Sequence, residues 1–261
     1  MEYLVGGYTM LNDILFADGS SIQNQLGGSV FSAAGIKLWR DSLAYIGTAG
    51  SDFEEHYGPF FRANKIHTEV RETLPRTLHY VMQYNSDGSW REYCKYGDEL
   101  EEIAAVKGML TADMFAACCD ETTKGIYIEA SLNTEIVNCF KELKEMMPKG
   151  KLMWEITTGD LLNPKRHERI LELIEQVDIY SINFNEAKTF FQIEREEEAI
   201  QAIQDIKKPC FFRAGAKGAY LIQDGEVSFL ESVDKECSVD ATGCGNCSTA
   251  TALIGFAEGL T

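Results

Sequence analysis

The chain has 261 residues and is 45% hydrophobic, enough to bury one large core and too short for a string of separate modules. Its 24 Lys and Arg stand against 41 Asp and Glu, and the formal charge of −17 excludes a broad surface for nucleic acid or anionic membrane, so a polyanionic partner needs a local site. Met1 to Gly7 carries neither a basic n-region nor a long apolar h-region, no later run reaches membrane-span length, and eight cysteines are too few for a disulfide scaffold; a soluble cytoplasmic protein with reduced thiols is expected.

In chain order, the pattern predicts a strand over Glu2–Gly6, a helix over Ser29–Trp39, a strand over Leu43–Thr48 and a helix over Phe53–Asn64. Thr77–Tyr84 and Ser89–Tyr93, joined by Asn85-Ser86-Asp87-Gly88, read as a β-hairpin with no helix of its own. A lid over a ligand cleft, spanning 77–95, is its natural place, with an edge extension of the sheet as the plainer alternative. Trp90 and Tyr93 on it need cover from the domain, the substrate or a second subunit, which points to a homodimer through the lid. The alternation then resumes: strands over Gly125–Glu129, Lys151–Ile156, Asp178–Ile182, Pro209–Ala214 and Ala219–Gln223, and helices over Thr134–Met147, Pro164–Gln176 and Glu196–Lys207, with Asn163 capping ahead of Pro164. This is the pattern of an α/β fold with αβα layers, a mostly parallel central sheet and a small β lid, in a single domain over 1–261.

The chemistry gathers near the end, where Cys237-Ser238-Val239-Asp240-Ala241-Thr242-Gly243-Cys244-Gly245-Asn246 precedes a run of small and apolar residues. A glycine-rich loop opening a helix presents unpaired backbone N–H groups and the positive end of the macrodipole, which together can hold a phosphate or a developing negative charge. Ordinary tight turns use the same glycines.

Asp240-Ala241-Thr242-Gly243-Cys244-Gly245-Asn246 resembles the Asp-Thr-x-Gly-Ala-Gly-Asp signature of PfkB and ribokinase-like kinases. Asn183-Phe184-Asn185-Glu186 is similar to the family's Asn-x-x-Glu motif, and Gly215-Ala216-Lys217-Gly218 to its turn at the nucleotide, with Arg213 in place of threonine. Gly27-Gly28-Ser29-Val30-Phe31-Ser32 resembles the substrate-side Gly-Gly-x-x-x-Asn signature, with Ser32 for asparagine, and Gly47 to Asp52 the Gly-x-x-Gly-x-Asp segment. These motifs, in the family's order on one α/β pattern, give the likeness its weight.

The resemblance implies transfer of the ATP γ-phosphoryl group to a hydroxymethyl group of a sugar or related small molecule. It places Gly243, Cys244 and Gly245 as the anion hole and Asn183, Glu186, Arg213, Gly215, Lys217 and Gly218 at the nucleotide. Asp13, Gly27, Gly28 and Ser32 would hold substrate hydroxyls, and Glu186 would hold magnesium through water. No Gly-x-x-x-x-Gly-Lys-Ser/Thr loop occurs, so a P-loop mechanism is out. The main departure is Asn246, at the position of the family's catalytic aspartate, because an amide cannot act as a general base near neutral pH. Asp240 is the nearest carboxylate in sequence. A catalytically silent nucleotide- or sugar-binding pseudokinase is therefore the alternative, and redox chemistry at Cys244 and Cys247 a third reading. His56, His67, His79 and His167 show no metal spacing, which disfavours a zinc enzyme. Relatives usually continue beyond the position of Thr261 with a helix that helps enclose the adenine, implying a more open nucleotide site or residues beyond this chain.

Overall fold

Tyr3-Leu4-Val5 and Leu43-Ala44-Tyr45-Ile46 are apolar at every position, the mark of strands covered on both faces, and they pair in parallel at the centre of the sheet. The computed structural model describes residues 1–87, 89–233 and 241–260; Gly88, the side chain of Trp90, Cys237 to Asp240 and Thr261 lie outside the described residues. Among the described residues twelve strands are seen: β1 (Tyr3–Leu15), β2 (Ser21–Gly28), β3 (Leu43–Gly50), β4 (His67–Leu74), β5 (Leu78–Tyr84), β6 (Trp90–Cys94), β7 (Gly125–Ala130), β8 (Lys151–Ile156), β9 (Ile179–Asn183), β10 (Cys210–Arg213), β11 (Gly218–Gln223) and β12 (Glu226–Glu231). The main sheet runs β12-β11-β10-β9-β8-β7-β1-β3-β4, parallel from β10 to β4 and antiparallel at β10/β11 and β11/β12.

Side-chain alternation along these strands divides the interior in two. Leu4, Ile126, Trp154, Tyr180 and Phe212 pack into one core, and Tyr3, Val5, Tyr127, Met153 and Phe211 into the other, so helices cover both faces and the expected three layers form. Among the described residues, no helix is long and apolar enough to cross a membrane.

The first strand is longer than the pattern Glu2–Gly6 predicts. Gly6 and Gly7 are there for space rather than for a turn: a Cβ at 6 would overlap the Phe115 ring and one at 7 the Ser29 hydroxyl. β1 therefore continues to Leu15, and its distal half founds a second sheet, pairing antiparallel with β2 and parallel with β5, which pairs with β6. The hairpin is thus two strands of a four-stranded unit. Its root is held by Asp52, whose Oδ1 accepts from the amide and the hydroxyl of Thr77, each at 2.7 Å. The single helix expected over Phe53–Asn64 is two short ones, Phe53–His56 and Gly58–Ala63, because Pro59 starts a new first turn. A helix over Asp98–Lys107, with three acidic residues in its first turn, joins the small sheet through the Tyr80 hydroxyl, which donates to Glu101 at 2.7 Å.

Candidate active site

The helix Cys244–Glu258 is set by small residues at its contacts. Gly243 takes φ 77°, which favours glycine, and a side chain there would also run into the Phe31 ring; Gly35 lets the Cys247 carbonyl approach the helix Val30–Lys37. At the far end Tyr3 donates to Glu258 at 2.9 Å and Arg40 pairs with the same carboxylate. This aims the helix N-terminus at the carboxyl ends of β7, β8 and β10. The Cys244 amide donates to the Ala241 carbonyl at 3.1 Å and that of Cys247 to Gly243 at 2.9 Å, so Gly245 and Asn246 supply the first-turn amides at the open end.

Arg213, at the end of β10, lies against Gly245, where any side chain would displace its guanidinium. Its Nη1 is 3.0 Å from Glu155 Oε1, with side-chain exposures of 15% and 8%, and its Nη2 is 3.9 Å from Glu186 Oε2. Burial works against the Arg213 charge, and Glu155, Glu186, Tyr127 and Glu129 together more than offset it. The guanidinium and the helix N-terminus stand side by side, and both offer donors to an anion. Asn183 and Glu186 form a capping box at the start of the helix Phe184–Phe191: the Glu186 amide donates to Asn183 Oδ1 at 3.0 Å, and the Asn183 amide to Glu186 Oε2 at 2.7 Å. Thr158 Oγ1 donates to the other Glu186 oxygen at 2.7 Å. Gly215 and Gly218 shape the turn between β10 and β11 with φ of 61° and 136°, while Lys217 pairs with Glu196 at 2.8 Å on the surface.

The substrate-side residues spread out. Gly28 has φ 66° and packs on the Tyr8 carbonyl, where only glycine fits, and the Gly27 amide donates to the Tyr57 hydroxyl at 3.3 Å. Ser32 is buried beside Tyr127. Asp13 is buried in an ionic cluster, Oδ1 bonded to His79 Nε2 at 2.8 Å and to the Asn24 amide at 2.9 Å, and Oδ2 to Lys95 at 2.6 Å. Burial alone would raise its carboxyl; Lys95, the Asn24 amide and His79 carry it down to about 2. A cleft of about 510 Å³ opens between the two sheets, lined by Tyr8, Met10 and Tyr80 on one side and Thr48, Ser131 and Asn133 at strand ends on the other.

Sequence reasoning missed the acids that close β7 and β8. Glu129, half-buried, accepts from Ser29 Oγ at 2.6 Å and from the Asn246 side chain. Burial, and then the Glu155 charge, raise its carboxyl to about 7 against the pull of Ser29, Asn246 and Arg213. Glu155 also accepts from the Tyr127 hydroxyl. A carboxylate ending an apolar strand at the carboxyl edge of a parallel sheet is the signal that could have found both. Elsewhere, Cys244 and Cys247 are free thiols, and burial pushes the Cys247 thiol up, away from redox activation. His67, Glu69 and Cys118 bring ligand atoms within 4.8 Å of one another, a convergence that sequence spacing hides, at the amino end of β4.

Solved structures with the same architecture are numerous. A probable sugar kinase from Rhizobium etli superposes with a TM-score of 0.77 at 20% identity, over 100% of this chain and 88% of that one. Adenosine kinase from Sinorhizobium meliloti gives 0.76 at 19%, over 100% and 88%, and a pyrophosphate-dependent kinase in the ribokinase family gives 0.78 at 17%, over 100% and 89%. At these identities the likeness shows the fold. A comparison with curated proteins finds no match. Residues 15–261 match the pfkB family carbohydrate kinase domain, and the chain therefore belongs to the PfkB family of carbohydrate kinases.

Proposed function

We propose that the chain transfers the terminal phosphoryl group of ATP, with magnesium, to a hydroxymethyl group of a sugar or related small molecule held in the cleft under the small sheet. The observation that carries this reading is the meeting of the Arg213 guanidinium with the first turn of the helix Cys244–Glu258, beside strand ends that border the cleft. Phosphoryl transfer asks mainly for alignment and neutralisation of charge, and a guanidinium with first-turn amides supplies both to the phosphate being moved.

Glu186 is the acid at this spot that suits magnesium. Glu186 already accepts from the Asn183 amide at one oxygen and from Thr158 at the other, which fits a hold through water rather than a direct bond. Bound with the triphosphate, the ion neutralises charge on the transferring group. Asp13, with both oxygens bonded, serves the small sheet as a structural group before it serves substrate. The small sheet acts as a lid, and Ile22 and Tyr93, both exposed on it, are where a second copy would pair.

The competing reading, a silent nucleotide- or sugar-binding pseudokinase, is favoured by Asn246 alone. The discriminating experiment measures magnesium-dependent phosphorylation of a panel of sugars and nucleosides, with nucleotide binding followed by calorimetry. Pyrophosphate enters as a second donor, because one structural neighbour is described as dependent on it. Turnover with ATP supports the kinase, binding without turnover supports the pseudokinase, and absence of nucleotide binding overturns the ATP-dependent reading.

A further inference from the structure

We propose that Glu129 is the general base of this enzyme, held by Asn246 and Ser29 at the carboxyl end of β7; the assignment rests on the kinase reading above. Asn246 cannot take a proton, but its side-chain amide donates to the Glu129 carboxylate, so a carboxylate stands one hydrogen bond from the position it vacates. Ser29 Oγ fixes Oε2 from the other side at 2.6 Å, and the missing Cβ of Gly7 makes room for both side chains. Two residues on, Ser131 lines the cleft, and its amide donates to the Tyr8 hydroxyl on the cleft wall at 3.0 Å.

The other acids near this end of the sheet are committed. Glu155 is paired with Arg213 and accepts from Tyr127, Glu186 is bonded at both oxygens, Asp160 is paired with Arg166, and Asp13 is paired with Lys95 and His79. Each has its oxygens taken up by a cation or by several donors. No ion pair of Glu129 is seen among the described residues. The groups facing it are Glu155, Arg213 and the phenols of Tyr127, Tyr8 and Tyr45, besides Ser29 and Asn246. Their balance leaves its proton affinity matched to neutral pH, where a general base works best.

In the step, the acceptor hydroxyl oxygen attacks the terminal phosphorus of the nucleoside triphosphate. The new oxygen–phosphorus bond forms as the bond to the leaving diphosphate breaks, and the hydroxyl proton passes to the Glu129 carboxylate and from there to solvent.

The test compares the wild type, Glu129→Gln and the double variant Glu129→Gln/Asn246→Asp, with nucleotide binding by calorimetry as the check that each variant folds. Glu129→Gln is expected to lower kcat by about 10²–10⁴-fold while the KM for ATP moves by less than about threefold, and to abolish the acid limb of the pH–rate profile. The double variant, which returns a carboxylate to the neighbouring position, regains at least about tenfold. Glu129→Gln with kcat within about threefold of wild type, or with the acid limb intact, overturns the base assignment and leaves the kinase standing. If the variant does not fold, the wild-type profile decides: kcat flat between pH 5 and 8 overturns the assignment. Nucleotide binding without turnover in the wild type overturns the kinase reading and the base with it.

Discussion

Replacing Glu129 by glutamine has a consequence for stability that can be worked out apart from catalysis. The carboxyl sits at about 7 in the folded chain against an ordinary 4.5. An acid whose proton is bound more tightly in the native state than in the unfolded chain contributes its full stability below pH 4.5, and this is lost as pH rises through 7. At 1.36 kcal/mol for each tenfold in proton affinity, the gap amounts to about 3 kcal/mol, and partial exposure of the side chain lowers this to about 2 kcal/mol. Glutamine keeps the size, still accepts from Ser29 and never ionises. The two proteins should therefore unfold alike near pH 4.5, and Glu129→Gln should be the more stable by about 2 kcal/mol at pH 8. Guanidinium unfolding followed by fluorescence, with the fully buried Trp154 as a reporter, measures this at several pH values. Acids common to both proteins, Asp13 and Glu258 among them, cancel in the difference. A difference that does not change with pH, or a wild type more stable at pH 8, would refute the charge balance assigned to this site.

Two other substitutions separate donor binding from lid structure. Gly245→Ala places a methyl group against the Arg213 guanidinium and should weaken ATP binding roughly 10–100-fold by calorimetry, the worth of a charge-assisted hydrogen bond, while helix propensity leaves stability unchanged or slightly higher. Asp13→Asn removes an acid whose carboxyl is carried from 3.8 down to about 2, so it should cost about 2 kcal/mol above pH 4, a loss that fades as pH falls through 2, read by urea unfolding from pH 2 to 7.

How much could be read in advance follows from which interactions are local. Lys151–Ile156 forms a strand with those bounds because a run buried on both faces announces itself residue by residue, and the Asn163 cap before Pro164 is likewise visible, its side chain accepting from the Lys165 amide. The distal half of β1 was hidden because Gly6 and Gly7 look like a break, and their reason lies in Phe115 and Ser29, distant in sequence. β12 is exposed at every residue and carries no burial pattern to detect. In the site, the glycine loop and the Asn183/Glu186 pair are local in sequence and are met through the family resemblance, while the capping box that the pair forms is not read there. Glu129, Glu155 and Arg213 come from β7, β8 and β10, and no spacing rule links them. The sheet does so, by setting successive parallel strands side by side with their carboxyl ends on one edge.

This arrangement changes what Asn246 means. An aspartate there would stand in hydrogen-bond contact with Glu129, and with Glu155 and Glu186 close by it would be a further carboxylate in a group neutralised by one guanidinium. Two carboxylates in contact cannot both ionise, so they would share a proton and one of them would titrate well above 7. With Glu129 in place, an amide at 246 is what leaves a single acid able to lose its proton at neutral pH. The single variant Asn246→Asp, which restores the family's residue, should therefore lower kcat at pH 7 and move the acid limb of the pH–rate profile upward by about one pH unit or more. In the Glu129→Gln background the same substitution should raise activity. Initial rates from pH 5.5 to 9 for the four proteins measure the sign change directly. An Asn246→Asp enzyme that is more active than wild type at pH 7, with its acid limb unmoved, would show that the two side chains are not a compensated pair.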